Sequence, residues 1–285
     1  MKKRPVVLKF GTGILAREGG CSLDPIQFRN LCGEIARLVK QGIPVIVVSS
    51  AAVAAGVDAL GLKKRPSDLA GKQACAAVGQ PVLMTAYSRH LGRHGLRPAQ
   101  LLLTHDDIFD AGRRRNASIT LSKLLQSPGV VPIINENDSV AVEELRFGDN
   151  DRLSSEVAQL VKARLLILLT SADGLMASSS PASMTSSKTS LKTSLKTSLK
   201  LSSKLQRIPV VTEIRDAFRH VTPDKGKHST GGMQAKLQAV QSAVDAGIET
   251  IIAHGRKRDQ IAGAIAGKDV GSRFPVCKKR KQSKS

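Results

Sequence analysis

Residues 130–138 read Val-Val-Pro-Ile-Ile-Asn-Glu-Asn-Asp. Five apolar residues, closed by polar ones and too few for a buried helix, predict a strand covered on both faces, as in a parallel sheet. In open α/β sheets, ligands bind beyond the carboxyl ends of such strands. Asn135, Asn137 and Asp138 therefore fall where a site is expected. A second cluster, Asp149-Asn150-Asp151, follows a stretch that can form a hairpin, and the two clusters can converge on one mouth. Short acids and amides there suit an ammonium, a Mg2+ shell or a lysine to be oriented. A solvated acidic loop is the other reading, and this segment alone does not choose between them.

The alternation continues outward in both directions. Strands are expected at 5–10, 43–48, 98–103, 165–169 and 249–253. Asp24-Pro25 predicts a helix start, an N-cap followed by proline at the first helical position, and apolar residues then recur at helical spacing until Gly42. Further helices are expected after Ala52 and over 69–91, 114–125, 151–162, 232–246 and 258–265. Strands alternating with helices at this rate predict an α/β fold, a three-layer α/β/α sandwich with a mainly parallel central sheet. One domain over 1–275 is expected, with a basic tail at 276–285. Within it, 177–206 is mostly Lys, Thr, Ser and Leu, with Lys-Thr-Ser-Leu repeated three times from Lys188. Its hydroxyl content and like-charged lysines at i, i+4 oppose a helix, and disorder is the expectation.

The 285 residues are ample for a core, which must be aliphatic, because Trp is absent and aromatics make up 2%. The formal net charge is +21. Thirteen of those positive charges lie in the N-terminal Lys2-Lys3-Arg4, in the lysines of the repeat region and in the tail. No nucleic-acid motif with interleaved aromatics accompanies them, so no specific nucleic-acid partner is expected. No apolar run reaches the roughly 18 residues that span a bilayer, which predicts a soluble, cytoplasmic chain without a membrane partner. Cys21, Cys32, Cys75 and Cys277 lie far apart and read as free thiols. His90 and His94 have a zinc-like spacing but lack a third ligand.

Four turns carry phosphate-like chemistry. Lys9 precedes Gly11-Thr12-Gly13, where small residues let an anion approach the backbone beside a fixed positive charge. Ser229-Thr230-Gly231-Gly232-Met233-Gln234-Ala235-Lys236 opens a helix with a glycine pair, whose free N–H groups and dipole favour an anion. Ser49-Ser50-Ala51-Ala52 offers hydroxyls at the end of the second strand. Thr170-Ser171-Ala172-Asp173-Gly174 makes a turn on which a nucleotide could rest. An ordinary glycine-rich helix start with a surface lysine remains the alternative for the second of these.

Taken in order, Lys9-Phe-Gly-Thr, Val48-Ser-Ser-Ala-Ala-Val-Ala-Ala-Gly56, Ala77-Val-Gly-Gln80, Val131-Pro-Ile-Ile-Asn-Glu-Asn-Asp138, Phe147-Gly-Asp-Asn-Asp151 and Thr230-Gly-Gly-Met-Gln-Ala-Lys236 resemble the glutamate 5-kinases of the amino acid kinase superfamily. The resemblance spans about 5–274. It implies ATP-dependent phosphorylation of the γ-carboxylate of L-glutamate, the first step toward proline, with Mg2+ accompanying ATP. It implies catalytic roles for Lys9, Lys236, Asp149 and Asp151, and glutamate binding by Ser50, Asn135, Asp138 and Asn150. ATP would meet Lys9, Thr170, Ser171, Thr230, Gly231, Gly232, Met233, Gln234, Ala235 and Lys236. No protein ligand is assigned to the metal. The resemblance further implies a homo-oligomer and a γ-glutamyl phosphate reductase to take up the product. Rival readings are another amino acid kinase with a different carboxylate or phosphate substrate, and a non-catalytic polyanion-binding descendant.

Some positions depart from the pattern. Ala51 stands where relatives carry glycine, and its methyl group obstructs the mouth if that position needs positive φ. Gly13 replaces a common serine, and the repeat region replaces an Asp-Pro-Arg-like stretch. The C-terminal PUA domain of many relatives is not expected here.

Overall fold

The computed structural model describes residues 3–19, 21–141, 150–178, 205–221 and 232–276. In chain order its strands are β1 (Val6–Phe10), β2 (Val45–Ser49), β3 (Arg97–Leu103), β4 (Val130–Glu136), β5 (Leu165–Thr170), β6 (Met176–Ser178), β7 (Leu205–Arg207), β8 (Glu249–His254) and β9 (Ser272–Phe274). Seven of them form one sheet in the order β3-β4-β2-β1-β5-β8-β9. All neighbours are parallel except β8 and β9. The strand order turns at β1, with β2 on one side and β5 on the other, which is the kind of position where such sheets hold ligands.

Side chains alternate across a strand, and β1 uses this to divide core from site. Val6, Leu8 and Phe10 enter one face with Phe28, Ile35 and Leu83, while Val7 enters the other with Leu153, Val157, Leu237 and Val240. Lys9 shares the parity of Val7. It therefore points toward the helices Asn150–Leu160 and Met233–Asp245 that cover the second face. The helices Pro25–Lys40, Ala52–Ala59 and Leu69–Gly92 cover the first.

Two glycines set the closest helix crossing on that first face. A Cβ at Gly56 would lie 1.8 Å from the carbonyl oxygen of Cys75, and one at Gly79 would lie 1.9 Å from that of Ala52. Any side chain at either position would push apart the helices 52–59 and 69–92. Their contact places Gln80 and Tyr87 behind the ends of β4 and β2.

Expected elements appear with adjusted ends. Asp24 Oδ1 accepts from the N–H groups of Ile26 and Gln27, at 3.0 and 3.2 Å, as the N-cap reading required. The helix expected from Arg114 starts at Ala111, because Asp110 caps it through the Arg113 N–H at 2.7 Å. The helix expected from Arg258 starts at Gln260, after Asp259 in a left-handed conformation with φ 57°. Its cap comes from a distant residue: Glu34 accepts from the N–H groups of Asp259, Ile261 and Ala262.

The expectation of disorder across 177–206 is corrected at both ends. β6 and β7 pair antiparallel, Met176 opposite Arg207 and Ser178 opposite Leu205. The stretch between them, 179–204, lies outside the described residues, as do the hairpin expected within 139–149 beyond Ala141 and the tail beyond Val276. His90 is buried and tilted against Phe28, with ring centroids 6.1 Å apart, so its helical spacing serves packing.

Candidate active site

Asp151 is fully buried at the start of the helix 150–160 and faces two lysines. Its Oδ1 is 2.5 Å from Lys9 Nζ and its Oδ2 is 2.9 Å from Lys236 Nζ. Both lysines are themselves buried. Proximity of the two ammonium groups holds the Asp151 carboxyl below its usual range, against the opposing effect of burial. Two cations against one anion leave a net positive charge at the carboxyl end of β1. A Cβ on Gly11 would stand 3.6 Å from Lys9 Nζ, so the backbone after β1 runs close beside that charge. Lys236 occupies the first turn of the helix 233–245, whose N-terminus at Gly232 has no side-chain cap. Among the described residues no side chain caps its leading N–H groups, which is the arrangement that favours an anion.

The second part of the site adjoins the first in sequence. Asn150 Nδ2 donates toward the Ser49 carbonyl (3.0 Å), Ser50 Oγ (2.9 Å) and Asn135 Oδ1 (3.1 Å). Asn135 Nδ2 donates to Gln80 Oε1 at 2.8 Å, and Gln80 Nε2 donates to Gln100 Oε1 at 2.8 Å. The ends of β2 and β4 and the middle of β3 are thereby tied to the helix 150–160 by one amide chain. Asn150 Oδ1 is buried and has no hydrogen-bond partner among the described residues. A buried acceptor left open in this way is costly unless a ligand donor meets it.

Asp138 follows β4 in a half-buried turn, and burial raises its carboxyl to about 6, against the pull of Arg65. It makes no hydrogen bond to the Asn150 network among the described residues. Thr170 is half-buried and Ser171 exposed where β5 ends, and the Thr170 carbonyl accepts from the Gly255 N–H at 2.8 Å. Met233 and Ala235 are half-buried and Gln234 exposed in the same turn as Lys236. Asp149, Thr230 and Gly231 lie outside the described residues. Ala51 has φ 83° and ψ 9°, so the position that invites glycine is indeed left-handed, with alanine in it.

Ser49, named above only for its hydroxyl, also belongs to this neighbourhood, as do Tyr87 and Glu136, to which motif reading gave no role. Tyr87 Oη is 2.8 Å from Ser49 Oγ. Glu136 alternates with Asn135 and so faces the opposite side of the sheet. Its carboxylate oxygens have no hydrogen-bond partner among the described residues. Burial, then the negative charges of Asp138, Glu156 and Asp107, push it up to about 8. Glu156 itself is held by His105 Nδ1 at 2.7 Å and Arg152 Nε at 3.0 Å.

The described residues do not build a protein cage for Mg2+. None of their His, Cys, Asp and Glu side chains form a group of three or more able to hold a metal ion. Both oxygens of Asp151 are already taken by lysines.

Residues 4–254 match the model of the Amino acid kinase family, and the chain belongs to that family. Within it the kinship is with proteins named glutamate 5-kinase. The one from Trichlorobacter lovleyi is 43% identical over 272 residues, covering 95% of this chain and 67% of that protein. The one from Streptococcus suis is 38% identical over 275 residues, covering 96% and 71%. The chain thus spans about two thirds of the length of these relatives. A solved UMP kinase from Bacillus anthracis shares the fold, with a TM-score of 0.58 at 13% identity over 98% of both chains.

Proposed function

We propose that this chain is a glutamate 5-kinase, which transfers the γ-phosphoryl group of ATP to the γ-carboxylate of L-glutamate. The observation that carries this reading is the Lys9–Asp151–Lys236 arrangement beside the Asn150 network. It puts surplus positive charge next to a pocket of amides and a hydroxyl.

The chemistry asks for little more. A glutamate side chain is ionised at neutral pH, its ordinary pKa being about 4.3, so no general base is required. One carboxylate oxygen bonds to the γ-phosphorus while the bond from phosphorus to the β–γ bridging oxygen breaks. That electron pair leaves on ADP. Charge spread over the transferring group is met by the ammonium groups of Lys9 and Lys236, which Asp151 holds in place. Such fixed donors act mainly by positioning and electrostatic stabilisation. Thr170, Ser171 and the residues 230–236 would meet the nucleotide, and Asp149 would assist Asp151. Ser50, Asn135 and Asn150 receive glutamate, and the open Asn150 Oδ1 suits its ammonium, with Asp138 as the countercharge. Mg2+ enters on the ATP phosphates, in keeping with its preference for phosphate and water oxygens.

The product is a labile acyl phosphate. A γ-glutamyl phosphate reductase acting next, assembly as a homo-oligomer and a cytoplasmic location form part of the same reading. The deciding experiment is hydroxylamine trapping with Mg-ATP. Glutamate should yield γ-glutamyl hydroxamate, whereas N-acetylglutamate and aspartate should give less than about a hundredth of that hydroxamate, and UMP, followed by ADP release because its product forms no hydroxamate, less than about a hundredth of that turnover. Absence of hydroxamate from folded protein at saturating glutamate would overturn the assignment.

A further inference from the structure

We infer that Tyr87 is a positioning residue for the turn 49–51, acting through Ser49 to hold the Ser50–Ala51 peptide in a conformation that alanine resists. What that turn binds rests on the reading given above; how it is held does not.

Tyr87 lies in the C-terminal half of the helix 69–92 and is 1% exposed. Phe28 packs edge-on to its ring, with centroids 5.0 Å apart and planes at 71°, so the ring has little freedom. Ser49 Oγ lies 2.8 Å from Tyr87 Oη and donates to the Ser50 carbonyl at 3.1 Å. A hydroxyl has one proton. With that of Ser49 used on the carbonyl, the phenol must be the donor to Ser49 Oγ. Burial pushes the phenol's ionisation well above its ordinary value, so it keeps that proton throughout the working pH range.

The relay therefore runs from Tyr87 Oη–H to Ser49 Oγ–H to the Ser50 carbonyl. In a trans peptide the carbonyl and the following N–H point in opposite directions. Fixing the Ser50 carbonyl consequently fixes the Ala51 N–H, at the point where the helix 52–59 begins. Ala51 is the residue most in need of such a restraint. It is 5% exposed and sits at φ 83°, where a Cβ crowds the backbone and glycine is at ease. Asn150 grips the same turn from the other side, through the Ser49 carbonyl and Ser50 Oγ. The phenol of Tyr87 is thus the counterweight that lets a non-glycine residue occupy the turn.

The test is a double-mutant cycle between Tyr87→Phe and Ala51→Gly, read in two ways. In steady-state kinetics, Tyr87→Phe should raise the KM for glutamate roughly fivefold, the worth of one neutral hydrogen bond. It should leave the KM for ATP unchanged. In the Ala51→Gly background, where no strain needs restraint, the rise should fall below twofold. In urea unfolding, which needs no substrate, Tyr87→Phe should lower the midpoint in the parent by at least twice as much as in the Ala51→Gly background. Ser49→Ala should reproduce each effect and add nothing to Tyr87→Phe, and it serves should the phenylalanine variant fail to fold. Equal midpoint shifts in the two backgrounds, or none in either, would overturn the inference. A non-additive midpoint shift in a protein that does not turn over glutamate would uphold the relay and sink only the assigned substrate.

Discussion

Lys236 Nζ lies 2.9 Å from Asp151 Oδ2, a buried ion pair between the first turns of two helices whose N-termini meet at one sheet edge. Lys9 holds the other oxygen, so removal of Lys236 still leaves Asp151 with a partner. Lys236→Ala should fold and should lower kcat by about 10²–10³-fold, the usual loss when one fixed donor to a charged transition state is removed. The KM for glutamate should change less than threefold. Unchanged kcat with a raised KM would show that Lys236 holds substrate instead.

Asp151→Asn is expected to behave differently. It leaves two buried ammonium groups without their common counter-charge. Breaking a buried ion pair from one side costs about 3–5 kcal/mol. Urea unfolding should show a loss of that order, together with kcat reduced at least as far as in Lys236→Ala. A stability loss below about 1 kcal/mol, on the scale of an exposed pair, would contradict the clamp.

Asn150 connects Ser49, Ser50 and Asn135 through one nitrogen, and its oxygen has no partner among the described residues. Asn150→Ala should raise the KM for glutamate about 10- to 100-fold, the range for losing hydrogen bonds to a charged ligand. The KM for ATP should stay within twofold. Equal effects on both substrates would mean that the residue only supports the fold.

Glu136 makes stability depend on pH. Its folded-state pKa of about 8 lies above the ordinary 4.5, so the folded chain keeps a proton that the unfolded chain gives up. The resulting stabilisation is complete below about 4.5 and is lost as pH rises through 8. The unfolding free energy should therefore fall across that window, by an amount on the order of a few kcal/mol. Glu136→Gln should flatten the slope above pH 6. A smaller slope below it would persist, because Asp138 is raised in the same direction, to about 6. An unaltered slope in the variant would place the titrating group elsewhere.

The pairing of Ser178 with Leu205 predicts the outcome of a deletion. Removing 179–204 and joining the strands through Asn-Gly gives a two-residue hairpin turn of the favoured type. Turnover should stay within twofold of the parent and the unfolding midpoint should not fall, since a shorter loop is cheaper to close. A loss of activity beyond tenfold would mean that the repeat region contributes to catalysis.

The sheet was legible wherever one strand carries its own signal. Val130 to Ile134 and Leu165 to Leu169 are continuous apolar runs, and burial on both faces requires such runs. β9 was not legible, because three residues of mixed character carry no period. The helix 260–265 starts late because its cap is Glu34, more than 220 residues earlier, and no local pattern announces such a partner. The candidate site divides in the same way. Its lysines, amides and acids stand in contiguous motifs beside glycines, so they could be named. Gln80 sat inside a quoted motif without a role, which only its approach to Asn135 supplies. Tyr87 had no signal except being the chain's sole tyrosine. Glu136 looked like one acid among several until strand alternation turned it away from Asn135.

The shared carboxylate of Asp151 also bears on how the protein is made. Lys9 enters the central strand, yet its anion is translated far later and the second cation later still. A nascent chain halted before Lys236 can pair the sheet's first strands but holds the Asp151 carboxylate with only one of its two lysines, and so without the surplus positive charge. Activity should consequently switch on late in synthesis, once the last of the three charged groups has emerged from the ribosome.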